Sequence, residues 1–251
     1  MIKGIDVSKH QGQIDWPKVK AAGIRFAMIR AGYGKNNIDP QFERNITECN
    51  RLGIPCGVYW FSYATTEAEA RQEAKYCLAA VKPYRLEYPV CFDLEYDTVK
   101  KAKEKGVTIG KSLASRMIDA FCLEIESAGY YAMFYANQDY LNTMIDPELL
   151  KRYDFWYARY ASEQGRKDTG IWQYSSTGKV SGISGNVDLD YSFRDYPTII
   201  RTNRLNRLRT EMDEAAEIVQ KKAGLEDSTM KYLKSYSSAE ALLKKLAKAM
   251  K

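Results

Sequence analysis

Pro89-Val90-Cys91-Phe92-Asp93-Leu94-Glu95-Tyr96-Asp97 decides how the chain folds. Its alternation is that of a β-strand, with Val90, Phe92 and Leu94 on one face and Cys91, Asp93 and Glu95 on the other. Two acids two positions apart lie roughly 6–7 Å from each other along such a backbone. Unpaired charge is costly to bury. The acid face therefore meets either a basic cluster, such as arginines at a barrel rim, or a cavity that uses it. Carboxylate pairs at about this separation do the work of glycosidic bond hydrolysis.

Outward from that strand, similar runs recur at Ile2–Val7, Phe26–Ala31, Gly57–Ser62, Ala132–Ala136, Phe155–Tyr160, Ile171–Ser175 and Val187–Tyr191. Helical patterns fill the earlier gaps: Trp16–Ala22 before Gly23, Phe42–Leu52 before Gly53, a segment from Thr66 to about Val81, and Ser112–Ala128 before Gly129. Glycine just past a helical run is a stop signal. Strand-helix alternation implies parallel strands with crossover helices. The last three strands have little helix between them. The pattern is that of an α/β barrel that begins as β/α units and finishes mainly as β.

Chemistry in such barrels sits at the C-terminal ends of the strands. Asp6, Tyr33, Tyr59, Phe61, Tyr63, Asp93, Glu95, Tyr135, Trp156, Gln173, Asp188 and Asp190 all lie at or near those ends. Acids among aromatic faces suit a carbohydrate cleft, because sugar C–H faces pack on π-rings. Each aromatic alone is equally at home in a core.

The composition sets limits. At 251 residues, 45% hydrophobic and 28% charged, the chain is long enough for one large domain or a domain with an appendage. It has no run of about 18 apolar residues, so membrane insertion is not expected. The N-terminus enters a strand pattern at once, without an apolar leader. Five cysteines lack metal-ligand spacing and there is one histidine, so neither a metal nor a cofactor is expected and the thiols are read as free. The net charge is +6; residues 201–251 hold 12 Lys/Arg and 7 Asp/Glu, leaving 26 and 25 to residues 1–200. A basic appendage suits an anionic polymer: nucleic acid, a membrane surface or a bacterial wall.

Several motifs then become specific together. Gly4-Ile5-Asp6-Val7-Ser8 with His10-Gln11-Gly12 resembles the opening signature of family 25 glycoside hydrolases, the Chalaropsis-type lysozymes. Gly57-Val58-Tyr59-Trp60-Phe61, Phe92-Asp93-Leu94-Glu95, Trp172-Gln173-Tyr174 and Val187-Asp188-Leu189-Asp190 resemble its later blocks, in order, over roughly residues 1–195. Trp60 stands where the family often has His, and Asp190 where it often has Asn. The resemblance implies an irregular TIM-like (β/α)5(β)3 barrel. It also implies a muramidase cutting the β-1,4 bond between N-acetylmuramic acid and N-acetylglucosamine in bacterial peptidoglycan. Position by position it makes Glu95 the general acid. Asp93 and Asp6 match acids that orient the substrate and stabilise positive charge at the anomeric carbon. Asp188 matches the fourth acid, with a turn held by its own hydrogen bonds as the competing reading. Tyr33, Tyr59, Phe61, Tyr63, Tyr135, Trp156, Gln173 and Asp190 are the expected substrate-binding residues. His10 is read as support for the loop after the first strand. The other classes weighed are a non-catalytic glycan-binding barrel, a bacterial autolysin and a chitinase-like hydrolase. Pro89-Val90-Cys91-Phe92 lacks the longer acidic motif that normally precedes the acid pair in the last of these.

The expected division is a barrel over 1–196, a linker over 197–209 marked by Pro197 and Arg201–Arg209, and a short all-α tail over 210–251. Glu211–Ala223, Asp227–Tyr236 and Ala239–Met250 read as helices, with Ser238 as a cap for the last. The tail is expected either to pack on the barrel or self-associate as a homo-oligomer, or to bind anionic wall polymers; nucleic acid is not an expected partner. With the resemblance, the arrangement looks like a phage or prophage endolysin. Such an enzyme accumulates in the host cytoplasm and reaches the wall through a holin.

Overall fold

The computed structural model describes residues 1–203, 205–206, 211–236 and 238–250. Its strands are β1 (Ile2–Val7), β2 (Phe26–Tyr33), β3 (Asn37–Ile38), β4 (Cys56–Phe61), β5 (Val90–Asp93), β6 (Ala132–Asn137), β7 (Asp154–Ala158), β8 (Ile171–Gly178) and β9 (Val187–Ser192). From β1 through β2, β4, β5, β6 and β7 to β8 each neighbour is parallel. β9 runs antiparallel to both β8 and β1 and closes the barrel between them. β3 is a two-residue strand that folds back on the end of β2.

Helices follow the first five barrel strands. They are α1 (Trp16–Ala21), α2 (Phe42–Leu52), α3 (Glu67–Val81), the pair α4 (Tyr96–Glu104) and α5 (Lys111–Ser127), and the pair α6 (Gln138–Thr143) and α7 (Pro147–Arg152). Among the described residues no helix lies between β7, β8 and β9. The expected (β/α)5(β)3 barrel is the fold observed.

Alternation along the strands builds two apolar layers. Ile5, Ile29, Val58, Trp60, Phe92 and Leu94 face outward, where they are fully buried against the helices. Phe26, Met28, Cys91, Met133, Trp156 and Ile171 face inward and pack with Tyr88 and Tyr196. At the N-terminal end of the barrel Phe26 and Tyr88 stack at 4.5 Å with 2° between ring planes. A Cβ on Gly4 would overlap the Phe26 ring, so glycine is what lets the plug seat. Burying each such ring contributes roughly 1.5–3 kcal/mol. With that end filled, a cavity can open only at the C-terminal ends of the strands.

Several expectations need correction. β5 stops at Asp93, and Glu95 is the N-cap of α4 in extended conformation, so it still follows the inward side of the strand. The helices α4, α6 and α7 were not expected; the last two are six residues each, less than two turns, too short for a periodic apolar face. The expected linker at 197 is instead α8 (Tyr196–Thr202), capped by Asp195 and burying Tyr196 and Ile200. Pro197 sits in its first turn, where a missing N–H costs nothing. Asn206 then ties the chain back to the barrel base, donating to the Tyr88 carbonyl at 2.9 Å and accepting from the Tyr131 N–H at 2.7 Å. The compact barrel unit is Met1–Arg207 and the second unit Leu208–Lys251. Residues 204 and 207–209 of the expected linker lie outside the described residues.

The second unit contains α9 (Glu211–Ala223), α10 (Asp227–Lys234) and α11 (Ala239–Ala249). It has its own small core of Ala215, Ala216, Val219, Met230, Ala239, Leu243 and Ala247. Ser238 makes no side-chain capping bond to α11, contrary to expectation. Among the described residues no helix is long and apolar enough to cross a membrane.

Candidate active site

The inward positions nearest the C-terminal strand ends converge on one hollow of ≈ 280 Å³. β1 contributes Asp6, β2 Arg30, β4 Tyr59 and Phe61, and β5 Asp93 followed by Glu95. β6 contributes Tyr135, β7 Trp156, β8 Gln173 and β9 Asp188. Ser8, His10, Gln11 and Tyr160 complete the rim. The four acids expected to do chemistry thus line one cavity. Asp188 lies within β9 directly opposite Asp6 in the β1–β9 register, which removes the turn reading.

Arg30, buried on β2, was missed by sequence reasoning; a basic residue at an inward strand position was the available signal. Its Nε bonds Asp39 at 2.7 Å, and Asp39 is itself held by the N–H groups of Lys9 and Gln41. Since Asp39 already balances much of its charge, Arg30 offsets the four cavity carboxylates weakly. It pulls Asp93 and Glu95 downward, but burial pushes both above the ordinary carboxylate range.

Glu95 is the best-defined case. Its backbone N–H donates to Thr98 Oγ1 at 3.3 Å, and Thr98 donates to the Ser62 carbonyl at 2.7 Å, which anchors the residue between β4 and α4. A helix N-terminus favours the ionised carboxylate. Burial outweighs this and, with repulsion from Asp188 and Asp97, pushes Glu95 up to about 7. Repulsion between Glu95 and Asp93 also raises Asp93. Asp93 Oδ1 is buried without a hydrogen-bond partner. Burial raises Asp188 to about 6.

Glu95, Tyr135 and Tyr160 also line a second hollow of ≈ 840 Å³, bounded by Tyr96, Asn137, Gln138, Asp139 and Arg159. Glu95 thus stands where two hollows meet. Tyr96 and Tyr160 are 56% and 59% exposed, open aromatic faces on that side. Neither was singled out from the sequence.

Three expected substrate-binding residues lie elsewhere. Tyr33 and Tyr63 line a separate hollow of ≈ 460 Å³ with Lys35, Lys101 and Lys105. Phe61 links it to the main cavity, its ring 5.1 Å from that of Tyr63. Asp190 is fully buried behind the cavity wall and accepts Trp156 Nε1–H at 2.8 Å. Trp60, one of the two departures from the resembled pattern, faces outward into the helix layer and donates to the Gly34 carbonyl at 3.2 Å, so it cannot shape the cavity. His10 is exposed on the rim; partial burial, Arg30 and Lys9 hold it below its usual range. Among the described residues no cluster of His, Cys, Asp and Glu could hold a metal ion.

The sequence profile described as "Glycosyl hydrolases family 25" matches residues 5–183. The uncharacterized protein YegX of Escherichia coli strain K12 is 30% identical over 197 residues, covering 75% of this chain and 68% of its own length. Lysozyme M1 of Streptomyces globisporus is 28% identical over 197 residues, 74% of this chain and 66% of its own. Among solved structures, the modular autolysin LytC from Streptococcus pneumoniae, in complex with a synthetic peptidoglycan ligand, superposes with a TM-score of 0.68 at 32% identity. That match covers 75% of this chain but 46% of the autolysin, so this chain accounts for less than half of that protein.

Proposed function

The chain belongs to glycosyl hydrolases family 25, and from that membership we propose that it is a muramidase. It would hydrolyse the β-1,4 bond between N-acetylmuramic acid and N-acetylglucosamine in peptidoglycan. The observation that carries this reading is a half-buried Glu95, raised to about 7 at the junction of two hollows, with Asp6, Asp93 and Asp188 lining the same cavity.

In this reading Glu95 donates its proton to the leaving glycosidic oxygen. A proton held at about 7 is available at neutral pH and is still acidic enough to transfer. Positive charge developing at the anomeric carbon falls in a cavity walled by acids, which stabilise it without reorganising. Tyr59, Phe61, Tyr135 and Tyr160 offer ring faces and hydroxyls to the sugars, and Gln173 fixes the hydroxyls of Tyr135 and Tyr160 at 3.1 Å each. The hydrolysis consumes water and needs no co-reactant. Incubation with purified peptidoglycan should release soluble fragments and one new reducing end per bond cut. Intact glycan strands after prolonged incubation would defeat the proposal.

We assign the activity to a phage or prophage endolysin, on the pairing of a barrel with a small helical unit and on the basic excess of residues 201–251, 12 Lys/Arg against 7 Asp/Glu. An autolysin is the second reading, favoured by the similarity to LytC. In both, the second unit is proposed to tether the enzyme to anionic wall polymers. Residues 1–207 alone should then cleave soluble glycan fragments at near-normal rates and lose most activity on intact cells, where tethering raises local concentration. The full-length advantage should shrink between low and about 0.3 M salt. Equal losses on both substrates would show a purely structural role. Cutting at 200 instead removes Asn206 with its bonds to Tyr88 and Tyr131, and should lower the melting temperature.

A further inference from the structure

Asp190 is an acid with no solvent, no cavity and no cation around it. Its residue exposure is 0%. Its Oδ1 accepts from Trp156 Nε1 at 2.8 Å, and its Oδ2 is buried with no hydrogen-bond donor. In the β1–β9 ladder Asp190 stands opposite Gly4 and Asp188 opposite Asp6, so all three acids point inward and Asp190 is the diagonal neighbour of Asp6. Gly4 places no side chain between them. The charge on Asp190 bears directly on Asp6 and raises it. Asp6 Oδ2 in turn accepts from Gln173 Nε2 at 2.7 Å. Gln173 is orientated beyond choice, because its Oε1 already accepts the hydroxyls of Tyr135 and Tyr160.

Trp156 thus holds Asp190 Oδ1 and Gln173 holds Asp6 Oδ2, which leaves Asp190 Oδ2 a buried oxygen without a donor. Two ionised carboxylates cannot share that space, since both would be desolvated and mutually repelled. Neither is ion-paired with a Lys or Arg among the described residues. One proton between them supplies the donor that Asp190 Oδ2 lacks. We infer that Asp190 is a positioning residue, joined to Asp6 in a carboxylic acid–carboxylate pair that holds a single proton and sets the orientation of Asp6 at the cavity wall. Asp6 lines the cavity; Asp190 acts only through it.

The surrounding charges agree with a retained proton. Burial, then repulsion from Asp190 and Asp188, raises Asp6 well above its ordinary range. Burial, with Asp188 adding to it, holds Asp190 at about 8. The remaining titratable neighbours are Tyr59 on β4, Cys91 on β5, Tyr135 on β6, Tyr160 beyond β7 and Tyr174 on β8, all raised by burial and by these acids, and so neutral. Arg30 on β2 is bound to Asp39. Removal of the last shared proton at alkaline pH breaks the bond and leaves two anions side by side.

Two substitutions separate this from plain packing. Asparagine at 190 would present a carbonyl to Trp156 and an N–H to Asp6, reproducing both bonds without a titrating group; leucine would present neither. The kinetic part rests on the muramidase reading, whereas the melting part stands without it. Asp190→Leu should lower kcat about tenfold or more with KM little moved, because a misplaced group costs rate rather than affinity. Asp190→Asn should recover most of that loss.

The melting temperatures give the sign directly. A group raised from 3.8 to about 8 stabilises the fold fully below about 4, and that contribution is lost as pH rises to about 8. Asp190→Asn should therefore gain melting temperature relative to the native chain across this window and level off above it. A difference independent of pH, or one that turns against Asp190→Asn as pH rises, overturns the shared proton. Asp190→Asn as slow as Asp190→Leu at every pH overturns the positioning role.

Discussion

Glu95→Gln lowers turnover on peptidoglycan by roughly 10²–10⁴-fold while leaving the fold and wall binding in place, the range expected when a general acid is removed. The amide is isosteric with the acid and lacks the transferable proton. Three features make the effect specific to this position. Glu95 sits where two hollows meet, so a chain laid across both brings a glycosidic oxygen beside it. Its backbone is anchored through Thr98 to the Ser62 carbonyl, so the substitution leaves its setting intact. Burial, which wins over the pull of the α4 N-terminus, keeps it protonated up to about 7. The native enzyme should accordingly lose activity as pH rises through about 7. Retention of more than about a tenth of native activity by Glu95→Gln would remove this residue from the role.

Asp93→Asn carries the second large effect, a loss of roughly 10²–10³-fold in kcat, as for removal of one preorganised electrostatic partner. Asp93 is 3% exposed, has one oxygen without a partner, and is raised by burial and by Glu95. Such a group is held ready for a substrate atom. Because the two acids serve one transition state, the losses should not multiply. The double variant should be little slower than Glu95→Gln, as for groups that act as a unit. Losses that multiply in full would show independent contributions and so argue against one shared site.

Both predictions concern residues that were legible before any coordinates. Alternation along Val90–Glu95 set Asp93 and Glu95 on one side, and the barrel wall turned that side into a cavity face. The strands were legible because each carries six or so alternating residues between clear stops. What the sequence hid depends on three dimensions. Asp190 shares its alternation with Asp188, yet register sets it two residues deeper, behind the wall and against Asp6. Tyr33 ends β2 where it turns back into β3, and Tyr63 lies two residues past the end of β4, so both line a neighbouring hollow rather than the main cavity. Arg30 was visible as a lone inward base, and its partner Asp39 could not be, since the chain between them folds back through β3 to bring it there. The short helices α6 and α7 carry too few turns to write a period, although Asp146 followed by Pro147 was a readable start signal.

The proposed chemistry reduces to which bond is cut. Purified peptidoglycan digested to completion and examined by mass spectrometry after borohydride reduction reports the sugar at each new end. The account predicts reduced N-acetylmuramic acid at those ends, appearing with the native chain and absent with Glu95→Gln. Reduced N-acetylglucosamine at the new ends would contradict it.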